Sequence, residues 1–244
     1  MIRKMITGAL FAGFAAGLLG ALLHFAFVQE YILLGETYET GEVVHFGGSG
    51  SSEAVIDQST ADAASHDSHA HDHEHAGDAG TFQRNALTVL FTCLIYVGYG
   101  LFMSVAFQVA EMFNRPIRAQ DGILWGIAGY AAFQLAPAMG LPPELPGTIA
   151  AEISARQIWW FSTVGATIAG LALLAFGRSV VTVALAAALL AAPHAIGAPH
   201  PDGFWGVAPP EVGAAFSARV LGVGLAVWAV LGWLSARFWT EAEK

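Results

Sequence analysis

The chain has 244 residues, 55% of them hydrophobic and only 12% charged, with a mean hydropathy of +0.57 and a formal net charge of −9. Soluble globular domains carry about a quarter charged residues, so an ordinary soluble enzyme is excluded. The ten Lys and Arg are scattered, which speaks against a nucleic-acid partner, and the single cysteine, Cys93, excludes an internal disulfide.

Apolar runs close to twenty residues long, the length that crosses a bilayer, recur along the chain. We read an all-α integral membrane protein with about six transmembrane helices, or five if the first is cleaved. The first run spans Met5 to Val28 after Arg3-Lys4. A signal peptide has an apolar core of about 7–15 residues and a small-residue cleavage site. This run is longer and ends in His24-Phe25-Ala26-Phe27, so residues 1–28 are read as a retained helix. Ala9, Gly13, Gly17 and Ala21 repeat every four residues, a stripe that lets a second helix approach closely.

Residues 29–84 are read as a polar, largely disordered loop that carries most of the negative charge. Its centre alternates histidine with acid: His66, His69, His71, His73 and His75 among Asp67, Asp72 and Glu74. Imidazole suits divalent first-row metals, and a flexible tract can gather several ligands on one ion without fixing a geometry. The competing reading is a solvated linker.

Residues 85–244 supply five more spans. The second run is Ala86 to Ala110 and the third Ile123 to Met139, with a break at Pro137. The fourth runs from Gln157 to Phe176, the fifth from Val180 to Ile196 with a break at Pro193, and the sixth from Ala214 to Trp233. The C-terminal two-thirds holds a parallel two-helix repeat. One copy runs from Pro137 through Pro142-Pro143-Glu144 to Ser154-Ala155-Arg156. The other runs from Pro193 through Pro209-Pro210-Glu211 to Ser217-Ala218-Arg219. With two spans per copy, the copies share an orientation about an axis along the membrane normal.

Charge bias orients the spans. With the amino terminus inside, Arg3, Lys4, Arg115, Arg118, Arg178, Arg237 and Lys244 fall inside, and Arg84, Arg156 and Arg219 fall outside. Both termini are then cytoplasmic, and the His-rich loop and both Pro-Pro-Glu loops are external.

Glu144 and Glu211 have two readings: metal ligands at the mouth of a pathway, or partners of Arg156 and Arg219 in a charge-paired gate, within or across the repeats. Charges at the hydrocarbon edge need such compensation. His194 sits in a repeat break, with His200 and Asp202 just beyond, and freed carbonyls there can act as oxygen ligands. His24 at the end of the first span is read either as an interfacial residue or as a further ligand. Gln108, Glu111, Gln134, Met139 and Gln157 are candidates for a polar path, or simply packing between helices. Seven tryptophans read mostly as interfacial belt or packing. No nucleophile motif, phosphate loop or HExxH is present, so no enzyme is expected.

The layout resembles the predicted cobalt transporter subunit family CbtA. The resemblance rests on the Gly/Ala-rich first span, the His-containing first loop and the stretch Leu141-Pro142-Pro143-Glu144-Leu145-Pro146-Gly147. It also rests on Arg156-Gln157-Ile158-Trp159-Trp160 and on His200-Pro201-Asp202 ahead of Pro209-Pro210-Glu211. It implies Co2+ uptake across a bacterial cytoplasmic membrane, linked to cobalamin synthesis, with a small one-span, His-rich CbtB-like subunit as partner. The expected function is inward transport of a divalent metal, Co2+ first, with no tightly bound cofactor. A nickel or zinc permease, or a non-transporting membrane metal-binding accessory or sensor, is the alternative. A homo-oligomer is left open.

Overall fold

The computed structural model describes residues 2–45 and 74–242. His66, His69, His71 and His73 therefore lie outside the described residues. All the regular elements described are helical, with one isolated bridge between Thr148 and Gly206. Among the described residues, four helices are long and apolar enough to cross a membrane, within Met5–Phe27, Gly80–Met112, Ile153–Phe176 and Pro210–Glu241. Two shorter apolar helical stretches, residues 122–138 and Val180–Ile196, bring the helical segments of membrane character to six.

The centre is built from α1 (Ile2–Phe27), α3 (Glu74–Met112), α4 (Gly122–Tyr130) and α8 (Pro210–Ala242). In a bilayer the hydrophobic effect does not drive helices together, so close packing has to. The small-residue stripe on α1 provides it. A Cβ added at Gly13 would lie 2.5 Å from the Val97 Cα, and one at Gly17 2.5 Å from the Cys93 Cα. The pairing of Gly13 with Val97 and of Gly20 with Thr92 sets α1 and α3 antiparallel. α4 lies equally close to α8: Gly126 sits against the Trp228 carbonyl and Gly122 against Gly232. Phe107, Val227, Trp228, Leu231 and Trp239 fill the space between these helices and are buried.

The remaining pair, α6 (Ile153–Phe176) and α7 (Val180–Ile196), forms an antiparallel hairpin. Gly170 packs on Ala186 and Leu190, and the Trp159 indole donates to the Pro193 carbonyl at 3.2 Å. A capping box between Ser179 and Thr182 starts α7 immediately after the turn. This hairpin meets the central four mainly through a π-helical segment, Ala131–Leu135, and the short α5 (Ala136–Ala138) that prolong α4.

Four details differ from the sequence reading. The polar loop is partly helical: α2 (Gln29–Glu39) follows α1 after Val28, and α3 begins at Glu74, which puts His75 in its first turn. α2 forms because Tyr31 and Ile32 pack on Val28, Leu145 and Phe216. The third span is not cut at Pro137. The chain accommodates the proline by widening into the π segment just before it. Nor does Pro193 break α7, which runs on to Ile196 and stops at Gly197 with φ 89°. Finally, Pro210 occupies the first position of α8, where a missing N–H costs nothing, so the second Pro-Pro-Glu is a helix start rather than a loop.

Helix pairing across the repeat is crosswise. The first helix of one copy, α4, packs on the second of the other, α8; the second helix of the first copy, α6, packs on α7. Exchanging the two copies leaves this pattern unchanged.

Candidate functional site

The two Pro-Pro-Glu elements, α2 and the start of α3 gather at one end of the bundle. Leu145 of the first loop is buried against Val28 and Phe216, and Gly35 of α2 faces Leu145 and Pro146. The Ser217 hydroxyl donates to the Pro143 carbonyl at 2.6 Å. Ile149 N–H donates to the Trp205 carbonyl at 3.0 Å, beside the Thr148–Gly206 bridge. The loops of the two copies therefore touch one another, and α2 covers the first. Pro142 and Pro143 have no N–H to satisfy, which suits this extended path, and Gly147 turns it with φ 75°.

Three arginines at this end each meet a carboxylate. Arg156 donates to Glu144 at 3.0 Å, inside the first copy. Arg219 donates to Glu30 at 2.6 Å and to the Phe27 carbonyl at 3.4 Å, and stands 4.3 Å from the centroid of the Tyr31 ring. Arg84 donates to Glu36 at 3.3 Å. The structure thus joins Glu144 to Arg156 but does not bring Glu211 to Arg219, and neither pair is crosswise. Glu211 is exposed in the first turn of α8, where the helix N-terminus favours a carboxylate without an arginine.

Glu152 also serves this end. Its carboxylate caps α6, accepting from the Ser154 and Ala155 N–H groups at 3.0 and 2.9 Å and from the Ser154 hydroxyl. The Ser154 hydroxyl bond, and then the two backbone bonds, hold its carboxyl below the ordinary carboxylate range.

The histidines are dispersed. His24 is half-buried and meets Phe25 edge to face. His194, also half-buried, lies edge to face on Trp159. His200 is exposed, its Nδ1 3.1 Å from the Pro201 carbonyl, and Asp202 is exposed as well. Among the described residues no three His, Cys, Asp or Glu come together as a metal site.

The path candidates divide in two. Gln134 turns inward from the π segment and donates to the Val220 carbonyl at 3.3 Å, fitting against Gly224, where a Cβ would collide with its amide. Glu111 accepts the Trp239 indole N–H at 2.7 Å. Gln108, Met139 and Gln157 lie on the outer surface instead. A shallow cleft of about 580 Å3 runs along α3 from Gly80 to Ile95, on the outside of the bundle.

The sequence reading missed Glu30 and Glu36. Their signal was position: both follow the end of the first span, at the level that Arg219 and Arg84 reach.

A family model described as "Probable cobalt transporter subunit (CbtA)" matches residues 2–240. No curated protein and no solved structure matches the chain.

Proposed function

We propose that this chain, which belongs to the CbtA family of probable cobalt transporter subunits, carries Co2+ inward across the cytoplasmic membrane of a bacterium. The observation that carries the reading is the family match over residues 2–240, on a chain whose helices are long and apolar enough to make it a multi-pass membrane protein. The metal is cargo, not a resident cofactor. The word subunit in the family description supports an assembly, and a small one-span, His-rich CbtB-like protein is the proposed partner.

Arginine placement supports the orientation. Arg115, Arg118, Arg178 and Arg237 stand at the end opposite the Pro-Pro-Glu elements, together with the start of α1. The three arginines at the Pro-Pro-Glu end are each paired with a carboxylate. Lys and Arg count, not net charge, orients spans, so four arginines against three, with Arg3 and Lys4 added at the start of α1, favour a cytoplasmic position for the end opposite the Pro-Pro-Glu elements.

In the proposed mechanism, the external tract His66, His69, His71, His73 and His75 raises the local concentration of the ion. The ion then passes the end formed by α2, the Glu144 loop and the start of α8, meeting His24, His194, His200 and Asp202 singly rather than as one cage. Weak successive ligation suits a conducted ion, which has to leave each site. The α6–α7 hairpin, attached mainly through the π segment, is the part free to shift against the central four helices. The Glu144–Arg156 pair ties the start of α6 to the first loop and so holds that movement.

Uptake of radiolabelled Co2+ by cells with and without the chain and its one-span partner tests this reading, with Ni2+ and Zn2+ as competitors. Chain-dependent uptake that Co2+ displaces best is the expected result. Absence of chain-dependent uptake with the partner present overturns it.

A further inference from the structure

α2 is held unevenly along its length. Only Val28 separates it from α1, and Arg219 secures this corner. Its guanidinium reaches the Phe27 carbonyl, the Glu30 carboxylate and the Tyr31 ring together. Tyr31 and Ile32 then pack on Val28, Leu145 and Phe216. The far half of the helix has weaker ties. Gly35 is its buried residue, and Glu39 rests beside Gly147. The charged link there is Arg84 to Glu36 at 3.3 Å, with side chains 47% and 42% exposed. A pair so exposed contributes little and is screened by salt.

Beneath the far half lies the first Pro-Pro-Glu loop. A Cβ added at Gly35 would lie 3.2 Å from the Pro146 Cδ and 3.6 Å from the Leu145 Cβ, so the helix backbone rests directly on the loop. Val28, Leu145 and Phe216 are buried together there. An apolar plug of this kind does not pass a hydrated cation. The rest of this end is tied more firmly. The Ser217–Pro143 and Ile149–Trp205 hydrogen bonds join the two loops, and Arg156 holds Glu144. An entrance at this end therefore opens where the ties are weakest, at the far half of α2.

We propose that α2 is a lid, hinged at the Val28 corner and closed in this structure, whose far half lifts off Leu145 and Pro146 to admit the ion. The proposal rests on the transport reading. Arg219 keeps the hinge, because all its partners belong to the corner. The Arg84–Glu36 pair is the latch. Gly35 lets the lid seat, since a side chain at that position would press on Leu145 and Pro146.

Two experiments test the lid, one with transport and one without. In a Cys93→Ala background, Gly35→Cys/Leu145→Cys places two thiols at a Cβ separation of 3.6 Å, inside the range of about 3.5–4.5 Å that a disulfide accepts. The bond should form under mild oxidation and reduce Co2+ uptake to that of cells lacking the chain. Reduction should restore uptake to the level of Cys93→Ala alone. Unchanged uptake with the bond formed overturns the proposal, and so does a pair that fails to oxidise. The second experiment labels Leu145→Cys, again with Cys93→Ala, by a water-soluble maleimide in the detergent-solubilised full chain. Leu145 is 5% exposed, so labelling reads the lifting of the lid. Arg84→Gln, which opens the latch, should speed labelling about two- to fivefold, the range set by an exposed pair. Arg237→Gln, which breaks a similarly exposed pair at the other end, should leave the rate unchanged. Equal rates with and without the latch overturn the lid. Labelling that follows the latch, in a chain that gives cells no Co2+ uptake, would overturn the transport reading and leave the lid in place.

Discussion

Arg219 binds Glu30 at 2.6 Å and not Glu211, its neighbour in the repeated motif. The guanidinium ties the start of α8 to the corner between α1 and α2, and it covers the Tyr31 ring as it does so. The two copies of the repeat share helix pairing but not charge pairing.

A double-mutant cycle tests that divergence. Glu30→Gln and Arg219→Gln should couple, by less than about 1 kcal/mol, because the side chains are 63% and 40% exposed. Arg219→Gln should cost more than Glu30→Gln, since it also removes the ring contact, which contributes about 0.5–1 kcal/mol at an exposed site. Glu211→Gln and Arg219→Gln should be additive. Thermal unfolding in detergent reads both, and coupling between positions 211 and 219 would contradict the structure.

Glu144 and Glu211 should separate stability from transport. Glu144→Gln releases Arg156 and should lower the melting temperature slightly, the pair being about a third exposed. Glu211→Gln should leave it unchanged. Both are expected to slow Co2+ uptake. Normal uptake in both variants would remove the pair from the mechanism.

Glu152 gives the structure an acid-side dependence. Its folded pKa lies below the ordinary carboxyl value of 4.5, chiefly through the Ser154 hydroxyl bond. The cap therefore contributes fully above pH 4.5 and is lost as the pH falls through the folded value. The melting temperature of the wild type should fall more steeply over that window than that of Glu152→Gln. Parallel curves would show that the cap does not titrate.

In the proposed mechanism the His-rich tract serves capture and not passage. Replacing His66, His69, His71, His73 and His75 by Ala should slow Co2+ uptake at limiting metal and leave it unchanged at saturating metal. Uptake abolished at saturating metal would place these histidines in the pathway itself.

Much of the fold could be read from the residues. Apolar run length and the stripe Ala9-Gly13-Gly17-Ala21 identified the spans and a close helix contact, because bilayer thickness and side-chain size act locally. The same holds for the two Pro-Pro-Glu elements, which lie together at one end. What escaped the sequence depends on distant partners. Glu30 is an unremarkable acid until α8 delivers Arg219 to it. The helical course through Pro193 depends on α7 stopping at Gly197 and on Trp159 arriving from α6. Crosswise helix pairing arises from how four spans share space, which no local pattern encodes. The dispersal of His24, His194, His200 and Asp202 has the same origin: each was flagged by residue type, and type does not bring side chains together.

The most direct test is metal entry into sealed vesicles. The purified chain with its one-span partner, reconstituted in proteoliposomes with an inside-negative potential, should admit Co2+ to an internal fluorescent chelator at a rate well above protein-free vesicles, and Glu144→Gln should slow it. Co2+ entry no faster than in protein-free vesicles, with the two proteins assembled and the potential intact, would contradict the account.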